Sequence, residues 1–159
     1  MAIKIYVDQG HNPFGVNAGA EGFGLREQDI TYLVGAYLAD LLAADPRFEV
    51  RTSRPTPTTS LGTNNTTSLR LRVDAANAWP ADYFLSIHAN ASTNPNQNGT
   101  ECYVYQMNSE AYYLGQEIIN EIVRRLGTQS NGVFTNTSLY VLRNTQMPAV
   151  LVELAYITN

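Results

Sequence analysis

Cysteine is almost absent from this 159-residue sequence: Cys102 stands alone. One thiol makes no internal disulfide and no cysteine-rich zinc module. Charge is scarce as well. Charged residues make up 15% of the chain, and the balance is acidic at −4. A chain without a basic excess lacks the electrostatic footprint of a nucleic-acid binder. It also gains no long-range attraction toward an anionic polymer, so such a partner must be held by local contacts. No apolar run approaches the roughly 18 residues of a membrane span. Asp8 interrupts the amino-terminal apolar residues too early for a signal-peptide core. Gly-x-Ser-x-Gly, Gly-Lys-Ser/Thr and His-Glu-x-x-His are all missing. Their absence sets aside the hydrolase elbow, the P-loop and the zincin helix.

What is present reads as one globular domain spanning residues 1–159. The hydrophobic fraction is 44%, and a chain of this length buries about 68–70% of its unfolded surface without covalent staples. Ile3, Ile5 and Val7 alternate as a short buried strand. A long loop rich in glycine and asparagine follows from Gly10 to Gly24, and loops of that size tend to carry function. Ile30, Leu33, Val34, Tyr37, Leu38, Leu41 and Leu42 recur at helical spacing. Asp45-Pro46 ends that helix, because the residue before a proline avoids the helical region. Phe48, Val50 and Thr52 read as a strand, residues 55–67 as a surface loop, and Leu69 to Ala76 as a short helix. Tyr83 to Ile87 is nearly continuous in apolar character, which suggests a strand buried on both faces. A strand around Cys102 and Val104 follows, then a helix capped by Ser109 and stopped by Gly127. Tyr140 to Leu142 reads as a short strand, and Ala149 to Val152 as a last buried one. Strands alternating with helices predict an α/β fold: a three-layer sandwich with a mixed, mostly parallel sheet of about six strands.

In open α/β sheets, ligands bind beyond the carboxyl ends of the strands. His11 and His88, the only histidines, each follow a predicted strand there, and Glu153 ends the last one. Glu27 opens the first long helix, which begins at that same edge. Two neutral imidazoles and one carboxylate make a three-ligand zinc site with an open fourth position. Water in that position is acidified, and a second carboxylate can carry its proton to a leaving amine. His11, Glu27, His88 and Glu153 fill those roles with nothing left over. Each has a plainer reading. Glu27 also suits a helix amino terminus. Glu153, between Val152 and Leu154, is costly unless paired or at an edge. Asp8 either orients a ligand imidazole or forms a turn, and Glu101 either faces the site or pairs across strands. Arg54, Arg72 and Arg143 read best as solvated surface cations, with anionic substrate groups as the alternative. The ten tyrosines suit a substrate groove or a core. Cys102 reads as packing rather than as a nucleophile.

Four motifs occur in order: Val7-Asp8-Gln9-Gly10-His11, Gly24-Leu25-Arg26-Glu27, Ser86-Ile87-His88-Ala89-Asn90 and Pro148-Ala149-Val150-Leu151-Val152-Glu153-Leu154. Together with Leu69 to Asn77, Gly99-Thr100-Glu101 and Tyr140 to Arg143, they resemble the zinc-dependent N-acetylmuramoyl-L-alanine amidases of bacterial autolysins and phage endolysins. The resemblance covers nearly the whole chain. It implies one zinc ion per chain, held by His11, Glu27 and His88, with Glu153 as the catalytic glutamate. The implied reaction hydrolyses the amide between the lactyl group of N-acetylmuramic acid and the L-alanine of the stem peptide. The implied partner is peptidoglycan, with no nucleic acid and no membrane span. The implied location is extracellular or the cell wall, and the expected state is a monomer. Two departures stand out. Asn12-Pro13 replaces the glycines usual after the first histidine, and the sequence stops before the family's final helix. A zinc peptidase or carboxypeptidase using the same four residues is the second reading, and a non-catalytic wall-binding module is the third.

Overall fold

The computed structural model describes residues 1–159. Strand β1 (Ile3–Gln9) lies next to a strand formed later in the chain, β4 (Phe48–Thr52), and both run parallel. Between them the chain makes a two-stranded hairpin, β2 (Glu21–Gly22) with β3 (Leu25–Arg26), and helix α1 (Glu27–Ala43). Helix α2 (Asn65–Ala78) leads into β5 (Tyr83–Asn90), then come β6 (Thr100–Val104), α3 (Glu110–Leu126), β7 (Ser130–Thr135), α4 (Tyr140–Asn144) and β8 (Ala149–Tyr156). The sheet has six strands in the order β4-β1-β5-β8-β6-β7, and only the β6–β8 pair is antiparallel. The mixed, mostly parallel sandwich expected from the sequence is therefore present.

Helices α2 and α4 cover one sheet face. Tyr6, Phe84 and Leu151 pack there against Val73, Ala76, Val141 and Leu142. On the opposite face, Cys102, Val104, Val150 and Val152 pack against Ala111 and Ile119 of α3. Alternation along a strand sends successive side chains to opposite faces, so Val150 and Val152 meet α3 while Leu151 and Glu153 point to the α2/α4 side. Burial of both faces explains why the β8 sequence is a run of apolar residues rather than an alternation.

The helix ends follow local chemistry. Asn64 and Thr67 close a reciprocal capping box at α2, where the Asn64 side chain accepts from the Thr67 N–H. Ser109 caps α3, and Gly127 at φ 70° ends it with its N–H on the Val123 carbonyl. Arg124 and Arg125 lie in the last turn, where the helix dipole favours cations.

Three sequence expectations are corrected. Tyr140 to Leu142 is helix rather than strand, because a three-residue apolar run carries no usable period. The segment docks on α2, where Asn77 donates to the Asn144 carbonyl and accepts from the Gln146 N–H. Strand β7 has no counterpart in the sequence reading. It is an edge strand with Phe134 and Thr135 exposed, and it shows little apolar pattern. The Gly10–Gly24 loop reaches into the β2–β3 hairpin, whose turn residues Phe23 and Gly24 both have positive φ, at 51° and 78°.

Candidate metal centre

The parallel strands β1, β5 and β8 end at one edge, and α1 starts there. That arrangement brings together residues 142 positions apart in the chain. His11 follows β1 with φ 66°, a left-handed conformation that histidine adopts more readily than most residues. Arg72 of α2 holds the backbone of this turn. Its guanidinium is 1% exposed and donates to the carbonyls of Gln9 and His11, the Asp8 carboxylate and Asn12 Oδ1. Asn12 is fully buried and donates to the carbonyls of Val16 and Leu61, so the Asn-Pro departure builds a rigid loop around His11.

Glu27 is the first residue of α1 and is 4% exposed. Its Oε1 lies 3.1 Å from His11 Nε2 and 3.1 Å from His88 Nδ1. The backbone N–H groups of Ala89 and Ala20 donate to Oε1 and Oε2. Burial raises the Glu27 carboxyl, but hydrogen bonding and charge from the His11 and His88 rings in their protonated form outweigh it and hold the group well below the usual carboxylate range. Two glycines make room. A Cβ on Gly10 would stand 2.5 Å from the His88 ring, and one on Gly19 would stand 2.7 Å from Glu27 Oε2.

The donor set fits a metal ion on its own chemistry. One donor atom from each of His11, Glu27 and His88 lies within 4.8 Å of the other two. Ligand bonds of about 2.0–2.1 Å in a tetrahedron put donors about 3.3 Å apart, close to the two 3.1 Å separations seen. The His11 tautomer sharpens the point. His11 Nδ1 faces the Asn17 carbonyl at 3.2 Å, and a carbonyl only accepts, so Nδ1 carries the proton. In the neutral ring Nε2 is then a bare lone pair aimed at a carboxylate oxygen. That arrangement is repulsive without a cation between the two. A backbone carbonyl fixing the far ring nitrogen is also the usual support for a ligating imidazole.

Glu153 is the register partner of His88 across β5 and β8, and both point to the same face. It lines the same open cleft of about 450 Å³, together with His11, Glu27, His88, Asn90 and Tyr103. Its Oε2 is buried without a hydrogen-bond partner. Burial, followed by the charges of Glu27 and Glu101, pushes the Glu153 carboxyl up to about 8.

The remaining candidates sort clearly. Asp8 lies in β1 rather than a turn and hydrogen-bonds to neither imidazole; it pairs with Arg72 at 2.7 Å and accepts from the Ser86 hydroxyl. Arg54 and Arg72 are buried rather than solvated, because each serves several backbone or side-chain acceptors that the sequence does not reveal. Arg143 is exposed. Glu101 is buried and faces the same side as Glu153. Cys102 is fully buried, and burial pushes its thiol up to about 12, which leaves it inert at neutral pH. Sequence reasoning missed Asn12, Asn90 and the Asn17 carbonyl. A backbone carbonyl leaves no mark on a sequence, and asparagine is too common here to stand out.

Residues 5–159 match the family Amidase_3, N-acetylmuramoyl-L-alanine amidase. The chain is 35% identical to the N-acetylmuramoyl-L-alanine amidase LytC of Bacillus subtilis over 98% of its own length and 29% of LytC. It is 34% identical to the amidase CwlM of Bacillus licheniformis over 99% of its length and 58% of CwlM. It thus spans only part of both relatives. The crystal structure of an N-acetylmuramoyl-L-alanine amidase from Clostridium difficile 630 superposes with a TM-score of 0.85 at 28% identity, covering 99% of this chain and 82% of that one. The sheet order, the converging donors and these matches agree: the chain belongs to the N-acetylmuramoyl-L-alanine amidase family.

Proposed function

We propose that residues 1–159 form one catalytic domain that hydrolyses the amide between the lactyl group of N-acetylmuramic acid and the L-alanine of the peptidoglycan stem peptide. His11, Glu27 and His88 hold one zinc ion, and Glu153 is the catalytic carboxylate. The observation that carries this reading is the convergence of donor atoms from His11, Glu27 and His88 within 4.8 Å of one another, beside the unpartnered Glu153 Oε2, in a chain of the amidase family. Zinc bound there supplies Lewis acidity that polarises the scissile carbonyl and acidifies water.

The chain's own residues do the rest. Glu27 brings a full negative charge to the edge, and the Ala20 and Ala89 N–H groups keep it oriented. The Asn17 carbonyl fixes His11, and Arg72 fixes the turn that carries it. Glu153 lines the cleft and its Oε2 has no hydrogen-bond partner, so it takes the proton from the attacking water and passes it to the departing amine. Water adds to the carbonyl carbon, the C–N bond breaks, and the products are a lactyl carboxylate and a free alanine amino group. A cation held by His11, Glu27 and His88 would offset the Glu27 charge, one of the three causes that raise Glu153.

The substrate places the domain's action at the cell wall or outside the cell. No helix is long and apolar enough to cross a membrane. The domain works as a monomer, with the four side chains drawn from one protomer. The test is mass analysis of digested muropeptides. The reading expects stem peptides with a new alanine amino terminus and intact muramic acid lactyl groups. Glu153→Gln is expected to keep its zinc and lose about 10²–10⁴-fold in rate. Cleavage within the stem peptide would instead establish a peptidase, and wall binding without product a binding module.

A further inference from the structure

Glu101 and Glu153 are neighbours in the β6–β8 ladder, and His88 is the next residue across on β5. The row His88–Glu153–Glu101 lies on the face that forms the cleft. The two carboxylates are treated in opposite ways. Glu101 Oε1 accepts from Asn90 Nδ2 at 2.6 Å and from the Tyr103 hydroxyl at 2.8 Å. Its Oε2 accepts from Asn131 Nδ2 at 3.1 Å and from the Tyr156 hydroxyl at 3.2 Å. Those four donors come from β5, β6, β7 and β8. Glu153 accepts from none of them, and its Oε2 is buried alone.

An orphaned buried oxygen is costly, yet the side-chain donors gathered from these strands are all directed to Glu101. Tyr103 is a diagonal neighbour of Glu153, at a spacing that long side chains bridge. Asn90 lies just past the register shift that separates it from His88, so its side chain is held by Glu101 and not by the ladder alone.

We propose that Glu101 is a positioning residue for the amidase reaction: it gathers the side-chain donors of this sheet edge, leaving the Glu153 carboxyl unengaged for substrate, and it pins Asn90 and Tyr103 to the cleft wall. The proposal rests on the amidase reading for its reaction but on Glu101's own contacts for its content. Both oxygens of Glu101 are saturated, so it takes no proton from substrate itself. Its chemical value is the subtraction of competing donors.

Glu101→Gln tests this. The glutamine is nearly the same shape but has one acceptor oxygen, so two donors are released and the new amide adds another beside Glu153. On a soluble muropeptide, kcat is expected to fall at least tenfold, with KM within twofold and zinc still at one per chain. Adding Tyr103→Phe removes a released donor and is expected to recover at least threefold in kcat. Asn131→Ala loosens the network on the side away from the cleft and is expected to stay within twofold of the parent. Three outcomes overturn the proposal: E101Q with the parent's kcat, E101Q that loses zinc, or an N131A loss as large as that of E101Q. Should E101Q not fold, Glu101→Asp with and without Tyr103→Phe gives the same comparison, and no recovery there overturns it equally. An inactive parent strikes the amidase reading; an active parent with an equally active E101Q strikes only this one.

Discussion

At the scale of single residues, the centre is a matter of where lone pairs point. Glu27 Oε1 faces both imidazoles, and His11 Nδ1 faces the Asn17 carbonyl. The histidines and both glutamates were legible in the sequence because each sits at the end of an apolar strand or the start of an apolar-striped helix. Their supports were not. Asn17 acts through its backbone, and Asn12 looks like any turn asparagine until its four hydrogen bonds are seen. Gly10 gives a clear prediction at this scale. In Gly10→Ala the new Cβ meets the His88 ring at 2.5 Å and the Ile87 carbonyl oxygen at 2.6 Å. Neither is a flexible chain end. Zinc affinity is expected to drop by about 10–100-fold, the usual cost of disturbing a ligand's support, as read by competition with a chromogenic chelator. An unchanged affinity would mean that His88 has room to move and is not held as described.

At the scale of elements, α2 is tied to β1 by a charge rather than by apolar packing alone. Arg72 and Asp8 are both about 1% exposed and meet at 2.7 Å. Removing one partner of such a pair leaves an unpaired buried charge, so Arg72→Met is expected to cost about 3–5 kcal/mol in urea unfolding. The same pair sets an acid limit. Burial raises the Asp8 carboxyl, but Arg72 and the hydroxyls of Ser86 and Ser53 outweigh it, and the folded-state value lies below the ordinary one. Its contribution is therefore complete above about pH 4, the unfolded-state value, and is lost as pH falls through the folded value. Unfolding free energies measured from pH 7 to pH 3 are expected to decline more steeply for the parent than for Asp8→Asn, which starts lower. The elements themselves were largely legible. The long helices α1 and α3 have clear periods, and the β5 and β8 strands have clear apolar runs. The errors fell where the pattern is weakest: the single turn of α4, the polar edge strand β7 and the tiny β2–β3 hairpin. In each of these, tertiary contacts rather than local sequence choose the conformation.

At the scale of the whole molecule, function follows from topology. Parallel strands put their carboxyl ends on one edge, and the helix after β1 starts there, so four chemically useful side chains meet without any local motif. The family and its fold were legible because the four signatures recur in order. The donor economy around Glu101 was not, since it depends on β6, β7 and β8 lying side by side, and no sequence spacing reveals that order. In the proposed centre, two rings and the α1 carboxylate share a cation, and Glu153 is not among its ligands. X-ray absorption at the zinc edge of the parent and of Glu153→Gln tests it directly. The expected result is a bound zinc with two nitrogen ligands and one carboxylate oxygen at about 2.0–2.2 Å, with an identical protein ligand set in both proteins. A parent that retains no zinc, or a protein ligand set that changes when Glu153 is replaced, would contradict it.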